Sequence, residues 1–568
     1  MKRALLVLPA LATLSFAQER ADVIYYNGKV VTVSKANPAA QAVAIHGNRF
    51  LAVGTDKEVL KTAGPGTRKI DLRGRSVLPG MIENHVHPDS AALTEKERPV
   101  PVYRSIADIQ AYIRQEAARL PADRTIFVPK VYPSRLKEQR YPTRYDIDAA
   151  APGRAAMCDN GYAGVLDSVL LARAGITRDT AQPPNGKIIK DERGEPTGLI
   201  LGAPQLLAPF RTGRSGAHAD IVWAIQAMQK AYNSAGITSI FDRSQGPAGF
   251  RAYQELHDQH KLTIRANVTY YITAKGTPKE VGEEVRRIPF VTGWGDEWLR
   301  VGPLKTTVDG GILIGTAYLR EPWGLNTAVY GYRDPDFRGV LAVEKDNLFE
   351  MVKVGNELGW QLTAHTTGGG AMDLLLDAYE AADRIKPIRG RRFNLMHANF
   401  PNEECIRRAK RLGVVFDCQI AWQYCDGDTL QEVFGPERIK QLLPFRSLLD
   451  AGLVVVGGSD HMIKFDPRQA TNPYHPFFAM WMMVTRKTIG GHVINPEQRV
   501  TREEALRMYT IDGAYNSFEE HVKGSIEPGK LADMVVIAKD LLTCPEDEIK
   551  DIDPLLTMVD GKVVYGGI

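Results

Sequence analysis

The rhythm of apolar and polar positions changes three times along the chain. Residues 4–16 form a short apolar run behind Lys2 and Arg3. Residues 23–33 (VIYYNGKVVTV) read as two short strands, and Asn27-Gly28 predicts a hairpin turn between them. Residues 40–54 repeat this pattern around His46-Gly47-Asn48, and residues 70–77 add another strand. The tail mirrors the start: residues 532–537 (ADMVVI) read as a buried strand, and residues 557–565 (TMVDGKVVY) as a hairpin with Asp560-Gly561 at its tip. Neither end has enough strands to cover its own apolar face. The pattern therefore predicts one β-sandwich closed by both ends.

Between them, short apolar strands alternate with amphipathic helices, as parallel strands with crossover helices do. The strands fall at residues 81–85, 238–241, 265–271, 304–308, 361–364, 393–396, 414–416 and 454–457. Eight of them predict a closed α/β barrel. The barrel region, residues 78–505, is longer than the ~250 residues typical of that fold. The surplus sits at about residues 88–234, where Pro-rich turns and a helix at 106–120 predict an insertion at the barrel mouth. Residues 18–77 would supply the first part of the sandwich, and residues 506–568 a helix and the remainder.

Composition narrows the function classes. The 568 residues are 44% hydrophobic and 24% charged, which excludes a globally disordered chain. The net charge of +4 gives no electrostatic case for a nucleic-acid partner. The apolar run at the start is too short to span a bilayer, and Ser15 and Ala17 occupy the −3 and −1 positions of a cleavage site. Residues 1–17 thus predict a signal peptide cut before Gln18, and a periplasmic or secreted protein. No Cys follows the run and no later segment has eighteen uninterrupted apolar residues, so no stable membrane anchor is expected. Five cysteines without a C-x-x-C pair read as packing residues.

Metal-type residues gather at strand ends. His85-Val86-His87 closes the first barrel strand, where alternation points both imidazoles to one side. His365, His397 and Asp460 each follow an apolar strand in the same way. Singly, each is by default a hydrogen-bonded core residue. Together they sit at the C-terminal strand ends, where barrel active sites are built. Lys305 lies within an apolar strand, and a buried lysine is costly. Three outcomes are open: a depressed pKa beside a carboxylate such as Asp309, carboxylation of the amine to an anionic metal bridge, or a side chain that snorkels out of the barrel end.

The order H-x-H, Lys, His, His, Asp on successive strands resembles the metal-dependent amidohydrolase superfamily. The finer resemblance is to its amidohydrolase family 3 branch, which includes N-substituted formamide deformylases. It is carried by LPGMIENHVH at 78–87, the GxIxxDxxGxPTG pattern at 186–198, AGITSIFD at 235–242, LKTTVDG at 304–310, His397-Ala398, GGSDH at 457–461 and KGSIEPGKLADMVVI at 523–537. The resemblance implies a distorted (β/α)8 TIM barrel with a composite β-sandwich. It implies that His85 and His87 hold the more buried metal, that N6-carboxylated Lys305 bridges, and that His365 and His397 hold a second. Asp460 would bind metal and act as general base. Two Zn2+ per chain are the default, since imidazole and carboxylate suit zinc without excluding iron or manganese.

Three positions depart from the branch. Asn160-Gly161-Tyr162 stands where Gly-His is usual, the loop at 366–370 carries no acid before Asp373, and Asn84 precedes His85 where Asp is common. Tyr162, Asp309 and His461 are therefore candidates for substrate contact. The expectation is hydrolysis of a non-peptide carbon–nitrogen bond in a small amide, and by analogy a homodimer. The alternatives are a mononuclear deaminase, an esterase or lactonase on the same scaffold, and a non-catalytic binding relative.

Overall fold

Eight strands form one parallel sheet that curls into a barrel. They are β1 (Met81–Val86), β2 (Ile237–Gln245), β3 (Arg265–Tyr271), β4 (Leu299–Thr307), β5 (Leu362–Thr366), β6 (Asn394–His397), β7 (Val415–Cys418) and β8 (Val455–Gly457). Neighbours in the sheet follow chain order, as right-handed crossovers require. The seam between β8 and β1 is closed just beyond β8: Asp460 N–H donates to the His85 carbonyl at 2.9 Å, and His87 N–H to the His461 carbonyl at 2.8 Å. The computed structural model describes residues 19–184, 186–211, 216–324 and 327–568. The expected signal peptide and its cleavage position lie outside the described residues.

All eight strands stand where the apolar runs place them, because both faces of each are covered and the sequence carries no competing pattern. The helices between them end by ordinary chemistry. Lys345–Leu358, for example, stops at Gly359, whose φ of 103° a side chain would strain.

The chain ends build two further sheets. One holds Arg49–Gly54, Ala42–His46, Ala21–Tyr26 and Ala63–Asp71 in that order. The other runs Lys562–Gly566, Pro554–Val559, Met534–Ile537, Ser76–Pro79, Lys29–Val31, Ala39–Ala40. Val77 pairs with Val30 on one side and Val536 on the other, so the two termini interleave within a single sheet. Tyr25, Val43 and Phe50 pack against Met534 and Leu556 in the shared core.

Three expectations need correction, the first being that residues 70–77 form one strand: a turn at Arg73-Gly74, with φ of 51° and 77°, splits them between Ala63–Asp71 and Ser76–Pro79 in different sheets. Asn27-Gly28 does not turn a hairpin: the strands on either side enter different sheets. Ala21–Tyr26 instead pairs with Ala42–His46 and Ala63–Asp71, which offer longer partners than the three residues of Lys29–Val31. The similar Asp560-Gly561 does turn one, with φ of 57° and 73° joining strands that pair directly. The insertion, read from sequence as loops with a helix, also contains a five-stranded sheet: Gly186–Lys190, Pro196–Gly202, Ala163–Leu166, Ala156–Asp159, Ile126–Pro129. Three of these strands are four residues long, too short to display a period.

The expected helix is present as Ile106–Arg119. The insertion is latched to the barrel where Arg135 and Ser134 meet Asp426, at 2.7 and 2.6 Å, on the helix Ile420–Arg438. All five cysteines are unpaired. Among the described residues no helix is long and apolar enough to cross a membrane.

Candidate metal centre

The strand ends converge on one cavity of about 1090 Å3, lined among others by His85, His87, Lys305, His365, His397 and Asp460. On β1, the two-residue period that buries His85 also brings the half-buried His87 to the same side. Asp460 Oδ1 lies 3.1 Å from His87 Nε2 and 3.4 Å from His85 Nε2. The ring of His397 is 4.4 Å from that of His365 and 4.9 Å from that of His85. His397, Ala398 and Asp460 carry positive φ of 69°, 44° and 55°. Such backbone is sparsely populated by residues with a Cβ and gathers at functional sites.

The donor set fits a metal. The ligand atoms of His85, His87 and Asp460 lie within 4.8 Å of one another. Two donors about 2.1 Å from a tetrahedral ion stand roughly 3.4 Å apart, close to the separations here. His85 Nε2 is buried and has no hydrogen-bond partner, while its Nδ1 faces Asp417 Oδ2 at 3.1 Å. His397 directs Nδ1 to Gln419 Oε1 at 2.7 Å and lies flat on Trp422. His365 directs Nε2 to the Gly310 carbonyl at 3.1 Å, which leaves Nδ1 for the cavity. His85, His397 and His365 thus each have one nitrogen held from behind, as ligating histidines do.

The electrostatics agree. Burial holds His85 and His397 well below the usual imidazole range and His365 at about 3, so all three are neutral and able to ligate. Lys305 is 3% exposed, which excludes the snorkelling reading. Burial lowers its amine to about 8, against the pull of Asp460. Asp309 is not the carboxylate that acts on Lys305, contrary to that expectation. Its side chain accepts from the backbone N–H of Tyr318, Thr367 and Gly368 at 2.8–2.9 Å and ties down the loop that follows His365.

Of the other candidates, Tyr162 lines the cavity with its ring 4.9 Å from that of His365. His461 does not face it: both ring nitrogens are taken, by the Tyr232 hydroxyl at 3.0 Å and the Lys464 carbonyl at 2.6 Å. Asn84 points out of the barrel, donating to the carbonyls of Ile82 and Gly457. Asn84 is not among the residues that line the cavity.

Sequence reading missed four buried polar residues behind the ligands. They are Asp417 and Gln419, Arg243 at 3.0 Å from Asp417, and Glu83, which accepts from the backbone N–H of His85 and Ser459. The Asp-x-Gln spacing at the end of β7 repeats the logic of H-x-H and would have exposed two of them.

Comparison with known proteins places the chain in a family. The chain is 29% identical over 558 residues to N-substituted formamide deformylase of Arthrobacter pascens, covering 96% of this chain and 98% of that protein. It is 24% identical over 553 residues to the putative amidohydrolase YtcJ of Bacillus subtilis (strain 168), covering 95% and 99%. An uncharacterized metal-dependent hydrolase from Pyrococcus horikoshii OT3 superposes with a TM-score of 0.68 at 22% identity, over 92% of this chain and 99% of that one. The amidohydrolase family profile matches residues 68–565, from within the first half of the sandwich through the barrel to the last strand. On that match the chain belongs to the amidohydrolase family.

Proposed function

We propose that this protein is an exported hydrolase that uses water and two divalent ions to cleave the carbon–nitrogen bond of a small amide. The observation that carries the reading is the convergence of His85, His87 and Asp460 at the barrel seam, with Lys305, His365 and His397 lining the same cavity. Two zinc ions would be held by His85, His87, His365, His397 and Asp460, and Lys305 would join them as an anionic ligand if carboxylated at N6. The charged start and short apolar run of the sequence support export.

Bound divalent metal lets water attack at neutral pH and polarises a carbonyl oxygen. The chain's own groups do the rest. Asp460 is fixed from both sides, its N–H on the His85 carbonyl and its carbonyl accepting from Asn472 Nδ2, each at 2.9 Å. Its carboxylate takes the proton from the attacking water and returns it to the departing nitrogen, which leaves as an amine. Tyr162 walls the side of the cavity beside His365 and limits what the carbonyl may carry. The formamide in the deformylase's name is not transferred, since Tyr162 and the loop at 366–370 alter this wall.

One observation favours a mononuclear deaminase, esterase or lactonase: among the described residues, the tight cluster of ligand atoms consists of His85, His87 and Asp460. Metal analysis joined to a panel of amides, N-acyl amino acids, lactams and esters decides. Close to two ions per chain with amide turnover is expected. One ion with deamination or ester cleavage would replace the reading, and a chain that binds no metal would leave a non-catalytic binding relative.

A further inference from the structure

One barrel strand contributes no ligand and yet touches both metal positions. β7 runs into Asp417-Cys418-Gln419, whose first and last side chains emerge on the same side. Asp417 Oδ2 lies 3.1 Å from His85 Nδ1, which Gln419 Nε2 also approaches at 3.3 Å, and pairs with Arg243 at 3.0 Å, while Asp417 Oδ1 accepts from Gln419 Nε2 at 2.8 Å. Gln419 Oε1 accepts from His397 Nδ1 at 2.7 Å. Asp417, Gln419, Arg243 and His85 are fully buried. The amide has one workable orientation, because reversing it would set its oxygen against the Asp417 carboxylate.

We infer that Asp417 and Gln419 are positioning residues that fix the tautomers of His85 and His397, and so couple the two metal positions through one side-chain amide. The inference rests on the two-metal reading above. With Nδ1 of each ring donating backwards, the Nε2 lone pairs of both imidazoles are aimed into the cavity. His85 Nε2 fits this, being buried and without a hydrogen-bond partner. Arg243 in turn pairs with Oδ2 of Asp417, the oxygen that also faces His85, and its Nε donates to the Asn84 carbonyl at 2.7 Å, tying the network to β1.

The test compares Asp417→Asn, Asp417→Glu and Gln419→Leu with the wild-type holoenzyme. Zn2+ affinity is read by chelator competition, the ligand field by visible absorption of the Co2+-loaded proteins, and folding by melting of the metal-free forms. Asp417→Asn and Gln419→Leu are expected to bind zinc about 10–100-fold more weakly, with a changed Co2+ spectrum; the metal-free melt of Asp417→Asn falls because the buried Arg243 loses its partner, while that of Gln419→Leu stays close to wild type. Asp417→Glu keeps the acceptor and recovers part of the affinity. If Asp417→Asn does not fold, Gln419→Leu carries the test, since it leaves the Arg243–Asp417 pair in place. A wild type that binds two ions while the folded variants bind within about twofold of it overturns the inference and leaves the two-metal reading standing. A wild type that binds no metal overturns both.

Discussion

Asp460 unites three properties in one residue: a strained backbone at φ 55°, a carboxylate against two imidazoles, and a main chain bonded across the barrel seam. Asp460→Asn removes the proposed proton acceptor while keeping size and most hydrogen bonds. We expect kcat to fall about 10²–10⁴-fold with the melting temperature of the metal-free protein unchanged. Turnover near the wild-type rate would refute the general-base role. Tyr162→Ala opens the wall beside His365 and leaves every ligand in place. Its expected effect is a shift in KM ranking across amides of different acyl size, at constant metal content. Unaltered ranking would remove Tyr162 from the specificity wall.

The elements divide into those whose neighbours the sequence declares and those whose neighbours it hides. All eight barrel strands were legible, because each is an apolar run closed by a polar residue. His85, His87, His365, His397 and Asp460 were legible with them, as the residues that close those runs. Asn27-Gly28 misled for a physical reason: a good turn dipeptide sets local geometry, but pairing partners are set by the tertiary strands on offer. The insertion sheet stayed hidden because strands such as AMCD and AGVL are shorter than the window in which alternation shows. Asp417 and Gln419 stayed hidden because β7 is only four residues long and no imidazole marks its end.

The insertion also carries a prediction of its own. Asp426 is fully buried and receives Arg135 from the insertion. Removing one partner of a buried ion pair leaves an uncompensated charge, a loss of about 3–5 kcal/mol. Arg135→Ala should therefore loosen the insertion, seen as faster limited proteolysis within residues 88–234 and a lower melting temperature. Equal proteolysis would show that the latch carries no docking energy.

For the whole molecule, metal and fold are linked. An ion that binds only the folded chain stabilises it by RT ln(1 + [L]/Kd). Chelation should lower the melting temperature, and added Zn2+ should restore it; a melt indifferent to chelator would contradict a metal held by the fold. Proton linkage sets the sign of the pH effect. His365 titrates near 3 in the folded state and about 6.5 when unfolded, and burial moves His85 and His397 the same way. Between those values the unfolded chain binds more protons, so stability from these groups is present above about pH 6.5 and is lost as pH falls toward 3. The metal-free protein should melt lower at pH 5 than at pH 7; the reverse order would contradict neutral buried imidazoles.

The seam has a consequence for the order of assembly. The backbone bonds that close the barrel join residues 85 and 87 to residues 460 and 461, and Val77 waits for Val536 to complete its sheet. A ribosome has released nearly the whole chain before either closure can form. A nascent or truncated product therefore holds at most His85 and His87 of the seam cluster, without the carboxylate that completes it. The site is therefore assembled last and all at once, and the unfinished chain lacks it throughout synthesis.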